Sequence, residues 1–271
     1  MRFCSLSSCS YANCVVLQDQ YTCILIDCGL KKRDIKPFLA TVGLAPSDID
    51  AIVLTHSHKD HVYGLKYFLK EKNVPVYSTA GVLQELSQGI NFTTPPRFNL
   101  LQHCYGQKIG TLGVIPFPLS HDVETNGFVI HGDGERMGLL TDTGVVPEIC
   151  LQAYRDLDYL YIESNHEPDM YKYSSKPGFV IKRNLGAKGH LSNQQCGQAL
   201  QVMAQKNCKL VVLGHLSEED NDPQLALDCA RRHLPPATAL INAPSRLPGK
   251  WSDFYLQNNG VGPRNGLSPS R

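Results

Sequence analysis

"IVLTHSHKDHVYGL", residues 52–65, runs from a short β-branched apolar segment straight into three histidines and an aspartate. The apolar run reads as a buried strand, and the loop after a buried strand displays side chains on a rigid support. His56 and His58 are two residues apart, so in an extended segment they point the same way. Asp60 and His61 lie on the next turn, close enough to serve a second centre. Imidazole nitrogen and carboxylate oxygen suit Zn²⁺, Mn²⁺ or iron. A single histidine here would read as a satisfied polar loop. Four donors in this spacing read as parts of two metal sites.

Three further segments repeat the layout of a strand ending in a donor residue. "FPLSHD" presents His121, "GLLTDTG" presents Asp142 and "LVVLGHLS" presents His215. With the first loop this makes five histidines and two carboxylates. Two ions about 3.5–4 Å apart need one shared carboxylate and three further donors each. The count fits a dinuclear centre.

Around these segments, short apolar runs alternate with stretches of helical spacing, which favours a layered α/β architecture in one domain. "CVVL", "YTCILIDCG", "VPVYST", "LDYLYIES", "CKLVVLGH" and "ATALIN" read as strands. "RDIKPFLATVGL", "YGLKYFLKEKN", "SNQQCGQALQVMAQK" and "QLALDCARRHL" read as helices, the last of them the final one. "GFVIHGDGERMGLLTDTG" reads as two strands around a Gly-Asp-Gly turn. Residues 1–243 are expected to form the catalytic domain. Residues 244–271, rich in Pro, Gly, Ser, Asn and Arg, are expected to be a tail that is partly packed or disordered.

Composition sets outer bounds. Hydrophobic residues make up 42% and charged residues 19% of the 271, as in a soluble globular protein. The opening has no basic n-region or long apolar h-region, and no run reaches membrane-span length. A cytoplasmic location without membrane partners is therefore expected. Ten cysteines occur with no CxxC pair among the five in the first 28 residues, so they are read as reduced, buried thiols. Net charge is +1, which gives no global case for a polyanion. Locally, however, no acid lies between Asp169 and Glu218, while Lys172, Lys176, Lys182, Arg183, Lys188, Lys206 and Lys209 all do. That basic stretch falls between two candidate site segments.

"THSHKDH", preceded by "LIDCG" and followed by "SHD", "TDTG" and "GHLS", resembles the metallo-β-lactamase superfamily, with its five motifs in order as far as about residue 243. The resemblance implies an αββα sandwich, two mixed β-sheets flanked by helices, with metals at one edge. It implies that His56, His58 and His121 hold one ion, that Asp60, His61 and His215 hold the other, and that Asp142 bridges them. The cofactors would be two divalent ions per chain, zinc or manganese, with iron a further candidate. Asp27 in "IDCG" would orient the ligand loop from behind. "ESNHE" at 163–167, "IKRN" at 181–184, "GHLSN" at 189–193 and "HLSEEDN" at 215–221 resemble the YycJ/WalJ group, as does the serine-rich opening. That likeness implies 5′-to-3′ DNA exonuclease activity. The first loop departs from the glycine-rich family opening, since it carries Cys9, Tyr11 and Ala12.

A phosphate-bearing substrate is also legible without the family. Ser192 with Gln195 has the spacing of a capping box, which sets His190 just before a helix N-terminus, where an anion is favoured. His190 there can hold a phosphate oxygen or protonate a leaving alkoxide. Asp60 and His190 are the expected catalytic groups, Asp60 doubling as a ligand. Asn13, His166, Lys182, Arg183 and Ser192 are the expected substrate contacts, with Lys182 and Arg183 placed to meet a nucleic-acid backbone. His103, His131 and His233 receive no role. The expected function is a dinuclear phosphodiesterase acting on DNA with a 5′ end, in which the ions activate water for attack on phosphorus. The alternative is a hydrolase of a small molecule, such as a cyclic phosphate, thioester or lactam. A flavodiiron-type oxidoreductase fits less well, since His58 is retained. A non-catalytic regulator would be expected to lack donors, and all seven are present.

Overall fold

The computed structural model describes residues 1–258, and within them two mixed sheets lie face to face. The first consists of β1 (Arg2–Cys9), β2 (Ala12–Gln18), β3 (Cys23–Ile26), β4 (Ala51–Val53), β5 (Pro75–Ser78) and β6 (Arg97–Leu100), in that spatial order. Its first two pairings are antiparallel and the other three parallel. The second consists of β7 (Gln107–Ile109), β8 (Leu112–Leu119), β9 (Thr125–Gly132), β10 (Glu135–Leu140), β11 (Tyr159–Glu163), β12 (Leu210–Gly214) and β13 (Ala239–Asn242). It is antiparallel from β7 to β10 and parallel from β10 onward.

Helices close both outer faces. Against the first sheet lie α1 (Lys32–Thr41), α2 (Lys59–Val62), α3 (Leu65–Glu71) and α4 (Ala80–Gly89). The second carries α5 (Glu148–Ala153), α7 (Asn193–Met203) and α8 (Pro223–Arg231), with α6 (Gly178–Asn184) preceding α7 in the chain, and α9 (Ser252–Asn258) packs on β1. This is the expected αββα sandwich.

The strands β3, β4, β11 and β12 read as continuous apolar runs because they are covered on both faces. In β3, Cys23 and Leu25 face the α1 and α3 side, while Ile24 and Ile26 join Phe128, Ile130, Met137 and Leu139 between the sheets. Burying one such side chain stabilises the fold by roughly 1.5–3 kcal/mol, so the strands form a stiff platform. Asp133 and Gly134, both at positive φ, make the two-residue turn expected between β9 and β10. All ten cysteines are unpaired and nine are buried, Cys104 being exposed. Burial pushes the Cys28 thiol up to about 12.

Residues 244–258 run along the β1 edge. The Gly249 amide donates to the Ser5 carbonyl (2.9 Å) and the Phe3 amide to Ser252 Oγ (3.2 Å). The remainder of the tail, 259–271, lies outside the described residues. A helix thus follows "QLALDCARRHL", which is not the last one. Among the described residues no helix is long and apolar enough to cross a membrane.

Strand directions decide where the site forms. β3 and β4 are parallel, and β8, β10, β11 and β12 all point one way. Their carboxyl ends deliver Asp27, His56, His121, Asp142, Glu163 and His215 to one edge of the sandwich.

Candidate metal centre

Three of these strand-end residues leave their strands in the left-handed region: Asp27 at φ 60°, Asp142 at 62° and His215 at 53°. Asp and His tolerate that region better than most residues, yet each such position costs of order 1–3 kcal/mol. The turn brings each side chain back toward the gap between the sheets. Gly29 closes the same corner. A Cβ there would lie 1.6 Å from the Asp60 carbonyl oxygen and 2.8 Å from the Asn13 amide nitrogen, so only glycine fits after "IDC".

All seven expected donors converge. Donor atoms of His56, His58 and His121 lie within 4.8 Å of one another, as do those of Asp60, His61 and His215. Asp142 joins the two halves, grouping with His56 and His61 on one side. On the other side, its Oδ1 lies 3.4 Å from His215 Nε2. Nε2 of His56, His121 and His215, and Oδ2 of Asp142, are buried without a hydrogen-bond partner. Leaving a buried polar atom unpaired costs about 1–3 kcal/mol. Four such atoms aimed at one space fit divalent cations, whose ligands must offer free lone pairs.

The opposite ring nitrogens are occupied, which fixes each tautomer. His61 Nδ1 lies 2.7 Å from Asp27 Oδ2, and Asp27 Oδ1 accepts from the Thr55 amide at 2.8 Å. His121 Nδ1 donates to the Gly189 carbonyl (3.1 Å), and His215 Nδ1 to Glu163 Oε1 (2.9 Å). Asp27 thus links His61 to the Thr55 backbone. Asn13 Nδ2 lies 3.1 Å from Asp60 Oδ2 and 3.0 Å from His61 Nε2, so it steadies two donors and is not free for substrate.

The two halves differ electrically. Burial, reinforced by the neighbouring imidazoles, holds His56 well below its ordinary value, and burial also lowers His121. For His61 and His215 burial pulls down as well, but the surrounding carboxylates, Asp142 foremost, outweigh it and raise both well above the usual histidine range. Partial burial of Asp60 opposes its ionisation, yet His61 and His215 hold it far below the carboxylate range.

His190 sits over both halves, its ring 5.2 Å from those of His121 and His215. Its Nδ1 donates to Glu163 Oε1 at 2.8 Å. Glu163 had no assigned role in the sequence, although "ESNHE" contains it. It is fully buried and accepts from His190 and His215 on Oε1, and from the Thr143 and Leu191 amides on Oε2. Burial opposes its charge, but His190 and His215 keep its carboxyl well below the usual range.

Arg183 reaches the rim, with Nη1 3.6 Å from Asp122 Oδ2. Lys182 is exposed beside it on α6. Two expected substrate contacts are buried. Ser192 is buried and its hydroxyl and amide are tied to Gln195, forming the capping box at the helix start that follows His190. His166 is also buried, packed on Tyr171 and paired through its backbone with Ser192. Its Nδ1 is buried without a hydrogen-bond partner. Burial there lowers its pKa to about 4.

The sandwich and its edge donors define a metal-dependent hydrolase. The family described as "Beta-lactamase superfamily domain" matches residues 22–216, and the chain belongs to this metallo-β-lactamase superfamily, in its YycJ/WalJ branch. It is 28% identical over 228 residues to the exodeoxyribonuclease WalJ of Streptococcus pneumoniae serotype 2, across 83% of this chain and 85% of that one. To the exodeoxyribonuclease YycJ of Bacillus anthracis it is 26% identical, across 83% and 86%. The fold also matches the metallo-beta-lactamase fold protein YhfI of Bacillus subtilis, with TM-score 0.70, 14% identity and coverage of 92% and 98%.

Proposed function

We propose that this protein is a phosphodiesterase that uses two divalent ions, zinc or manganese, to degrade DNA from a 5′ end. The observation that carries the reading is the His190–Glu163 pair held over a seven-donor centre. The exodeoxyribonucleases WalJ and YycJ, to which the chain is similar over most of its length, supply the substrate class.

Ions held by His56, His58, His121 and Asp142, and by Asp60, His61, His215 and Asp142, would lower the pKa of water and neutralise phosphoryl charge. The residues around them divide the remaining work. Glu163 takes the proton on His190 Nδ1 as a hydrogen bond, which leaves Nε2 to carry the proton that the departing 3′-oxygen needs. Arg183 and Lys182 bind backbone phosphates beside the centre. Phe179, 77% exposed, stands one turn before Arg183 and offers a face for an unpaired base. Asp27 and Asn13 hold His61 and Asp60 in register. A small-molecule phosphate ester would have no use for a basic, aromatic helix leading away from the centre, which favours the polymer.

The test is digestion of end-labelled DNA and RNA, with and without 5′-phosphate, under Mn²⁺, Zn²⁺ and Mg²⁺. Progressive release of mononucleotides from a DNA 5′ end is expected. Cleavage confined to RNA, to 3′ ends or to cyclic phosphates would overturn the reading.

A further inference from the structure

Donor atoms that share one ion leave a signature in their mutual distances. Two ligands each about 2.0–2.1 Å from Zn²⁺ at the tetrahedral angle lie about 3.3–3.4 Å apart. The acid-rich half has this spacing: His61 Nε2 is 3.3 Å from Asp60 Oδ2 and 3.4 Å from Asp142 Oδ2. His215 Nε2 is 3.6 Å and 3.4 Å from oxygens of the same two aspartates.

The same spacing recurs where no ligand has been assigned. Asp122 Oδ1 lies 3.3 Å from His58 Nε2 and 3.2 Å from His121 Nε2. His121 Nε2 is the metal-facing nitrogen, because Nδ1 is committed to the Gly189 carbonyl. Asp122 Oδ1 thus meets two of the three histidines of that half, whereas Asp60 groups with both histidines of the acid-rich half. Its other oxygen, Oδ2, faces Arg183 at 3.6 Å, which holds the carboxylate in place. Adjacent residues of a strand point to opposite faces, but His121 and Asp122 lie in the bend after β8, where both turn inward.

We infer that Asp122 is a further protein ligand of the ion bound by His56, His58 and His121, an assignment that rests on the dinuclear centre but not on the DNA substrate. With it, that ion has three imidazoles and two carboxylates, those of Asp142 and Asp122. Adding a water makes the set six-coordinate and rich in oxygen, which suits Mn²⁺ or iron better than four-coordinate Zn²⁺. The same carboxylate links the ion to Arg183, so the phosphate-binding arm and the metal are held by one side chain.

The experiment uses the full chain stripped of metal and titrated with Mn²⁺ and with Co²⁺, the latter read by its visible absorption. Asp122 is 30% exposed, and asparagine keeps its shape, so Asp122→Asn leaves the fold intact. Removing even an outer partner of a ligand weakens a metal by about 10- to 100-fold, and losing a ligand should do at least that to one ion only. The Co²⁺ absorption of that site should intensify as its coordination number drops. Lys182→Ala, a charge change on the same helix that leaves the Arg183–Asp122 pair in place, should retain both ions. Wild-type affinity and an unchanged Co²⁺ spectrum in Asp122→Asn would overturn the assignment, as would an equal loss in Lys182→Ala. A wild-type chain that takes up fewer than two ions would overturn the centre itself and this ligand with it, whereas inactivity on DNA with two ions bound would touch only the substrate.

Discussion

Glu163→Gln is an almost isosteric change with a large consequence. Four donors point at the Glu163 carboxylate: the Thr143 and Leu191 amides at 3.1 and 3.2 Å, and Nδ1 of His190 and His215 at 2.8 and 2.9 Å. A glutamine offers one oxygen. The backbone amides cannot change, so the oxygen is expected to stay with them and the NH₂ to face both imidazoles. Each ring must then shift its proton to Nε2 or give up the contact. Protonated at Nε2, His215 has no lone pair for an ion, and His190 loses the carboxylate that accepts from its Nδ1. The opposite rotamer leaves donor facing donor, at about 1–3 kcal/mol. Metal affinity of the acid-rich half should fall about 10- to 100-fold. Turnover with metal in excess should fall about 10²- to 10⁴-fold, the range of a lost general acid. Titration calorimetry with Mn²⁺ and the rate of label release from a DNA 5′ end measure the two separately. Wild-type affinity for both ions together with a wild-type rate would refute the account of Glu163.

Other variants probe the remaining parts. Asp142→Ala should remove turnover and lower the ion count, and a variant with full occupancy and a near-normal rate would sink the dinuclear assignment. His190→Ala should keep both ions yet lose about 10²- to 10⁴-fold on a DNA end. The loss should be much smaller on bis-p-nitrophenyl phosphate, whose leaving group needs no proton; equal losses would reduce His190 to a phosphate contact. Phe179→Ala should weaken binding of single-stranded DNA by about 1–3 kcal/mol with little change in its salt dependence, read by fluorescence anisotropy. Unchanged affinity would remove Phe179 from the substrate path. His166, lowered by burial to about 4 from 6.5, makes the unfolded chain bind more protons in that window, so stability should fall as pH drops through it. His166→Phe should flatten that slope in urea midpoints measured against pH, and an identical slope would contradict the assignment.

What the sequence made legible was whatever repeats or clusters locally. The β3 and β4 runs are apolar on both faces, and the His56–His61 loop follows one of them directly, so strand, loop and donors could be read together. β1 was less visible because Ser5, Ser7 and Ser8 look like a polar loop. In the fold they are buried, with Ser5 Oγ 3.2 Å from the Tyr161 hydroxyl and Ser8 Oγ accepting from the His215 amide. Glu163 escaped notice for the same kind of reason. Its partners, His190 and His215, lie 27 and 52 residues away, and no local period encodes them. Asp122 sat within the quoted "SHD" motif but was indistinguishable from a solvated acid until His58 was brought across from the other sheet. The burial of His166 and Ser192 was not legible because their pairing with each other is tertiary.

The central claim is that two ions in this centre hydrolyse a DNA end, and a metal titration of activity tests it most directly. Metal-free protein would be supplied with Mn²⁺ in steps while label release from a 5′-labelled single strand is followed. The rate should stay low at one ion per chain and level off at two. A rate that saturates at one ion, or that is indifferent to metal, would contradict the account.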